Sequence, residues 1–215
     1  MNDFAYESDL VVLTADKNMQ FAVKGLLDRP RDIGIRPIRA DFYSHPERDP
    51  GCRLRSDTFL RPFVKRSAFA IVIFDREGCG KHNKSRKELE SEVSSRLAIS
   101  GWKDRSTCIT IDPELENWVF SDSPEVDDAV GWSGKTPSLR VWLEERGFLT
   151  PNQLKPSRPK EAMEAALRQV RLPRSSSIYA GLAERVGLGR CTDEAFLKLK
   201  NTLQSWFPVP VGTQR

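Results

Sequence analysis

Five carboxylates stand shortly after runs of apolar residues. Asp16 follows DLVVL (Asp9–Leu13), Asp75 and Glu77 follow FAIVIF (Phe69–Phe74), and Glu114 and Glu116 follow TCITI (Thr107–Ile111). Clustered carboxylates repel and raise one another's pKa unless a cation neutralises them. Hard oxygen ligands at this density suit Mg2+ or Mn2+. Such a cation can polarise a phosphodiester, lower the pKa of a water and stabilise a leaving oxygen. Each position also has a plainer use. Asp16 can cap the helix after it, and acidic residues such as Glu114 and Glu116 are favoured at helix starts for electrostatic reasons alone.

Basic residues flank these acids. Arg48, Arg53, Arg55, Arg61, Lys65 and Arg66 precede the central apolar run, and Lys81, Lys84, Arg86 and Lys87 follow it. Acidic residues dominate Asp112–Asp128. Basic flanks beside an acidic centre suit a metal site working on a polyanion, the alternative being solvated charge. His45 lies in DFYSHPERDPG (Asp41–Gly51), which reads as turn-rich. It is open to a role as metal ligand, base, phosphate contact or plain surface residue.

Carboxylates on separate segments share a site only if the fold brings them to one edge. The unbroken run Phe69–Phe74 suits a strand buried on both faces, as in a parallel sheet. Asp9–Leu13, Gly34–Ala40 and Thr107–Ile111 read as the other strands, and Pro37 argues that Gly34–Ala40 is an edge or is distorted. In a parallel sheet the three acidic junctions lie at the carboxyl edge, where open α/β sheets bind ligands. Asn18–Leu27 reads as a helix with Phe21, Leu26 and Leu27 inward. Thr58–Lys65 reads as a loop or as a helix interrupted by Pro62. Ser85-Arg86-Lys87-Glu88 fits a capping box opening a helix through Leu89, Val93 and Leu97. That helix start adds its dipole to Lys81, Lys84 and Arg86, which favours a bound phosphate. Asp112 and Pro113 read as N-cap and first turn of a further helix. The last third reads as helical, with Lys160–Val170, Ile178–Val186 and a helix from Asp193 to Phe207 capped by Thr192. The division expected is an α/β domain over residues 1–125, a helical extension over 126–208 packed on it, and a loose tail over 209–215.

The 215 residues, 39% hydrophobic and 30% charged, have the composition of an ordinary one-domain protein, and the net charge is +4. No apolar run approaches the ~20 residues a bilayer span requires, and MNDFAYESDL lacks the pattern of a signal peptide. Cys52, Cys79, Cys108 and Cys191 contain no CxxC, which argues against zinc and for a reducing, cytoplasmic setting. No GxxxxGK[ST], GxSxG or HExxH occurs.

LVVLTADKNMQFAVKGLL, AIVIFDREGCG and ITIDPELENWVFSD together resemble a Toprim domain. This is the catalytic fold of topoisomerases, primases and the overcoming-lysogenization-defect nucleases. The similarity is greatest to small stand-alone Toprim-like bacterial proteins of unassigned function, some encoded among phage-defence genes. SSSIYAGLAERVGLGRCTDEAFLKLKNTLQSWF resembles their helical tail, so the likeness covers most of residues 8–208. It implies a Rossmann-like, mainly parallel four-stranded sheet flanked by helices. It implies a Mg2+-dependent (or Mn2+-dependent) nuclease acting in anti-phage defence, on DNA in preference to RNA. Asp16, Asp75 and Glu77 would be catalytic. Asp16 would handle the proton where Toprim usually has glutamate, with Lys17 in place of the usual glycine. Asp75, Glu77, Glu114 and Glu116 would hold metal. His45, Lys17, Lys81, Lys84 and Arg86 would contact nucleic acid. The alternatives are a Toprim-like subunit that no longer catalyses and binds a partner protein or DNA in a defence complex, and a nucleotide-binding or signalling module using the same carboxylate edge.

Overall fold

The structure, a computed structural model, describes residues 6–81, 83–120, 123–188 and 191–210. Strand β1 (Ser8–Thr14) leads through α1 (Lys17–Leu27) and the short α2 (Pro30–Ile33) to β2 (Ala40–Ser44). Helix α3 (Arg48–Leu60) crosses to β3 (Ser67–Asp75), and α4 (Arg86–Leu97) leads to β4 (Ser106–Ile111). Every strand pair is parallel and the order is β2-β1-β3-β4, an α/β Rossmann-like arrangement. The inner strands show why: Leu10–Leu13 and Ala70–Phe74 are fully buried, as strands covered on both faces must be.

The second strand lies later than Gly34–Ala40. Residues 35–39 are held as an extended approach, with the Arg36 N–H donating to Phe207 O and the Arg39 N–H to Asp9 Oδ2. Pro37 offers no N–H to a ladder, and pairing begins only after it. DFYSHPERDPG is therefore a turn only at 45–47. Its first half is β2, the half-buried edge strand, and its second half opens α3. Pro50 is tolerated in the first turn, where its missing N–H costs nothing. Helix α3 ends at Leu60, and Pro62 sits in a 3-10 turn at Arg61–Phe63.

Other local signals hold. Ser85 and Glu88 form the capping box, and Leu89, Val93 and Leu97 are buried. Gly101 takes a left-handed φ of 106° just after α4. Three expectations do not hold. Phe21 is 39% exposed rather than inward. Asp112 and Pro113 precede rather than open α5 (Glu116–Val119), and Asp112 pairs with Arg76.

The third concerns the last helix. The C-terminal third builds α6 (Pro124–Ala129), α7 (Leu139–Glu145), α8 (Pro159–Val170), α9 (Ser176–Arg185) and α10 (Glu194–Trp206). Asp193, not Thr192, caps α10, accepting from the Ala195 and Phe196 N–H groups. Helix α9 packs along α1 and α10 along β4, so this segment completes the core of the sheet. Phe69 of β3 stacks on Trp206 at 4.5 Å. Side chains from α4 and α10 also close the free edge of β4. Lys198 Nζ donates to Cys108 O, the Thr110 N–H donates to Glu90 Oε1, and Lys198 and Glu90 pair at 2.9 Å. An edge so occupied offers no template for a further strand. Among the described residues no helix is long and apolar enough to cross a membrane.

Candidate functional site

The order β2-β1-β3-β4 reverses direction between β1 and β3, and a crevice opens at such a switch point beyond the carboxyl ends. Asp16 stands at one lip and Asp75 at the other. Asp16 Oδ1 accepts the Met19 N–H at 2.9 Å, so it caps α1 as local chemistry requires. Asp75 is the last residue of β3, and its Oδ1 is buried with no hydrogen-bond partner. Buried carboxylate oxygens are rarely left so.

Facing Asp75 is Asp49, which sequence reasoning passed over. It lies in the first turn of α3, and its Oδ1 accepts the Asp75 N–H at 2.8 Å. Gly78 leaves room for it, since a Cβ there would stand 2.4 Å from Asp49 Oδ2. Burial pushes the Asp75 carboxyl well above the usual carboxylate range, and the charges of Asp49, Glu116, Asp16 and Glu114 push further. Burial also raises Asp49, against the opposing effect of the Asp75 N–H bond. Asp16, Glu114 and Glu116 thus act on Asp75 at the carboxyl edge, with Asp49 as an unforeseen member.

Glu114 and Glu116 reach this edge already engaged. Glu114, 7% exposed, accepts the Lys160 N–H at 3.0 Å at the start of α8, with the Lys160 ammonium 3.9 Å away. Burial, its largest influence, raises its pKa. Glu116, 1% exposed, pairs with Arg174 and accepts from the Tyr179 hydroxyl at 2.6 Å. Arg174 Nε donates in turn to the Tyr179 oxygen at 2.7 Å, and burial beside Glu116 drives the phenol's pKa far upward. Glu77 is exposed in a 3-10 turn at Glu77–Cys79, near enough to raise Glu114. Among the described residues no three His, Cys, Asp or Glu side chains are arranged to hold a metal ion.

The expected phosphate contacts divide. Lys17 and Lys81 are exposed, Lys17 donating to Gln20 Oε1 at 2.9 Å. Lys84 pairs with Glu92, while Arg86 pairs with Glu90 at 3.2 Å and with Glu194. Lys84 therefore braces α4, and Arg86 joins α4 to α10. His45 lies in the turn between β2 and α3 but is 6% exposed rather than on the surface. Its Nδ1 accepts the Glu47 N–H at 3.1 Å, and its ring packs on Phe59. Burial and the charge of Arg55 lower its pKa, which favours the neutral imidazole. Lys160 is the cation reasoning missed: it lies near both Glu114 and Asp49, and RPKE (158–161) marks a helix start without revealing what it faces.

Comparison with known proteins finds no matching family model, no similar curated protein and no similar solved structure.

Proposed function

We propose that the carboxyl edge is a Mg2+- or Mn2+-dependent centre that cleaves phosphodiesters, with DNA the preferred substrate and anti-phage defence the setting. The nucleic-acid and defence assignments rest on the Toprim resemblance of the quoted segments. The observation that carries the chemistry is the buried, unpartnered Asp75 Oδ1 facing Asp49 across the switch point. A divalent cation is the partner such an oxygen lacks. Asp75 and Asp49 would hold it. Two carboxylates, with waters and substrate oxygens completing the shell, are the usual Mg2+ arrangement, so three converging ligands are not needed. Bound there, the cation would polarise the phosphodiester and activate a water.

The chain's own residues do the rest. Without a cation, burial and four neighbouring acids disfavour the charged form of Asp75 and favour its protonation. Asp16 has one oxygen committed to the α1 cap and one available to exchange a proton. Glu114 and Glu116, satisfied by Lys160, Arg174 and Tyr179, serve as fixed negative charge behind the pair. Exposed Lys17, Lys81 and Lys160 supply charge for phosphates.

The test is cleavage of single- and double-stranded DNA and RNA with Mg2+, Mn2+ or EDTA. Wild type should cleave only with metal, and Asp75→Asn and Asp49→Asn should lose cleavage while keeping the fold. Metal-dependent cleavage retained by Asp75→Asn would overturn the reading.

One observation favours a second reading, a subunit that binds without catalysing: Glu114 and Glu116 are neutralised from within the chain. It is distinguished by wild type that shows no turnover under any metal yet co-purifies with a partner protein or DNA.

A further inference from the structure

A cavity of about 540 Å3 lies among α1, α5, α9 and α10, on the side of α5 that presents Trp118 and Val119. Its volume falls in the range of small-ligand sites. The wall is mostly apolar, with Leu26, Trp118, Leu182 and Phe196 among its residues. The only charged residues lining it, among those described, are Arg140 and Lys155, both positive. Arg140 is occupied by Glu144 at 3.3 Å and by the Gln153 carbonyl at 2.8 Å. Lys155 donates only to the Asn117 carbonyl and has no carboxylate partner among the described residues. At Phe120, Ser123, Arg140 and Leu154 the cavity meets a second lobe of about 350 Å3, so the space is elongated. Asp127 is the acid of that lobe, and its charge would repel a negative group there.

We infer that this cavity binds a small amphipathic anion, an alkyl chain with one acidic head, whose chain lies along the apolar walls and whose head meets Lys155. An apolar wall with a single unneutralised cation at its edge is complementary to that chemistry and disfavours a cationic amphiphile. The site is independent of the carboxyl-edge reading, because Asp16, Asp49 and Asp75 do not line it.

The experiment is calorimetric titration of the full chain with decanoate, decyl phosphate, decanol and decyltrimethylammonium, without added metal. Decanoate or decyl phosphate should bind at one saturable site, and their relative affinity tells which head is preferred. Lys155→Gln should weaken the anionic ligand about tenfold, the worth of one charge-assisted contact, and leave decanol unchanged. Bromodecanoate should quench tryptophan emission in wild type, and Trp118→Phe should remove that component.

Several results would overturn the inference. They are no anion binding by wild type, equal binding of decyltrimethylammonium, an unchanged anion affinity in Lys155→Gln, or quenching indifferent to Trp118→Phe. Concentration-dependent dimerisation abolished by Leu154→Asp, without anion binding, would overturn it in favour of a second copy of the chain, since Leu154 is 81% exposed at the rim.

Discussion

Asp49 Oδ1 accepts the backbone N–H of Asp75 at 2.8 Å, although the two residues lie 26 positions apart and on different elements. One acid thereby fixes the end of β3 and confronts the acid that ends it. The contact satisfies a backbone donor and places two carboxylates together where water is largely excluded. Different substitutions separate the two effects.

Asp49→Asn keeps an acceptor for the Asp75 N–H and removes the charge, whereas Asp49→Ala removes both. The alanine variant should lose about 1–3 kcal/mol, the cost of a buried donor left unmade, and the asparagine variant should lose less. Urea denaturation of the three proteins measures the difference. Equal losses would mean that the hydrogen bond contributes little.

Asp75→Asn should change the dependence of stability on pH. The folded carboxyl titrates well above the usual range, so between its unfolded value, about 3.9, and its folded value the native state binds more protons than the unfolded state. The stability due to that proton is fully present below about 3.9 and is lost as pH rises through the folded value. The asparagine variant carries no such proton. Relative to wild type it should gain stability as pH rises, then level off. Denaturation midpoints measured without metal from pH 4 to pH 8 follow the difference. A constant offset would show that Asp75 ionises in the fold at its ordinary pKa.

Mg2+ or Mn2+ should raise the melting temperature of wild type and not that of Asp75→Asn. Saturation at one hundred times the dissociation constant corresponds to about 2.7 kcal/mol. The shift should grow with pH, because the cation must displace a proton from Asp75. EDTA should abolish it. An equal shift in both proteins would place the cation elsewhere.

Arg174→Ala should strip the partner from a carboxylate that is 1% exposed. Removing one member of a buried pair costs roughly 3–5 kcal/mol, and the low end applies because Arg174 is itself 29% exposed. Adding Glu116→Gln should recover most of the loss, a coupling that a double-mutant cycle reads directly. Additive losses would mean that Tyr179 alone sustains Glu116.

Gly51→Ala tests the seat of His45. A Cβ there would stand 2.0 Å from His45 Nδ1, so the ring must leave its place on Phe59. A loss of about 1–3 kcal/mol is expected from such overpacking, with part of it recovered in the Gly51→Ala, His45→Ala double variant. No recovery would locate the strain in the helix instead.

Strands β1, β3 and β4 were legible in the sequence because buried parallel strands advertise themselves as unbroken apolar runs, as Phe69–Phe74 does, whereas the half-buried edge strand β2 lay in a segment that reads as a turn. Asp16 and Asp75 were legible because they follow such runs. Asp49 was not, because RDPG carries the signature of a turn and α3 buries too few apolar side chains to show a period. The engagement of Glu114 and Glu116 was hidden for another reason. Their partners Lys160 and Arg174 come 46 and 58 residues later, and only tertiary packing joins them. Lys84 and Arg86 looked available for phosphate because Glu92 and Glu194 cannot be assigned to them from spacing alone, whereas Glu90 stands at the i,i+4 spacing that pairs it with Arg86.

The closure of β4 by Lys198 has a consequence for biosynthesis. All four strands have been synthesised by Ile111, yet the helices that cover α1 and seal the sheet edge, α9 and α10, come from residues 176–206. A nascent chain emerging from the ribosome therefore holds a complete set of strands whose β4 edge lacks Lys198, whose Phe69 lacks its Trp206 cover and whose α1 lacks α9 through the synthesis of a large part of its length. Such an intermediate pairs readily with other chains. The chain must complete its sheet after α10 emerges or rely on a chaperone until then, and stalling ahead of Glu194 should yield aggregate rather than a folded fragment.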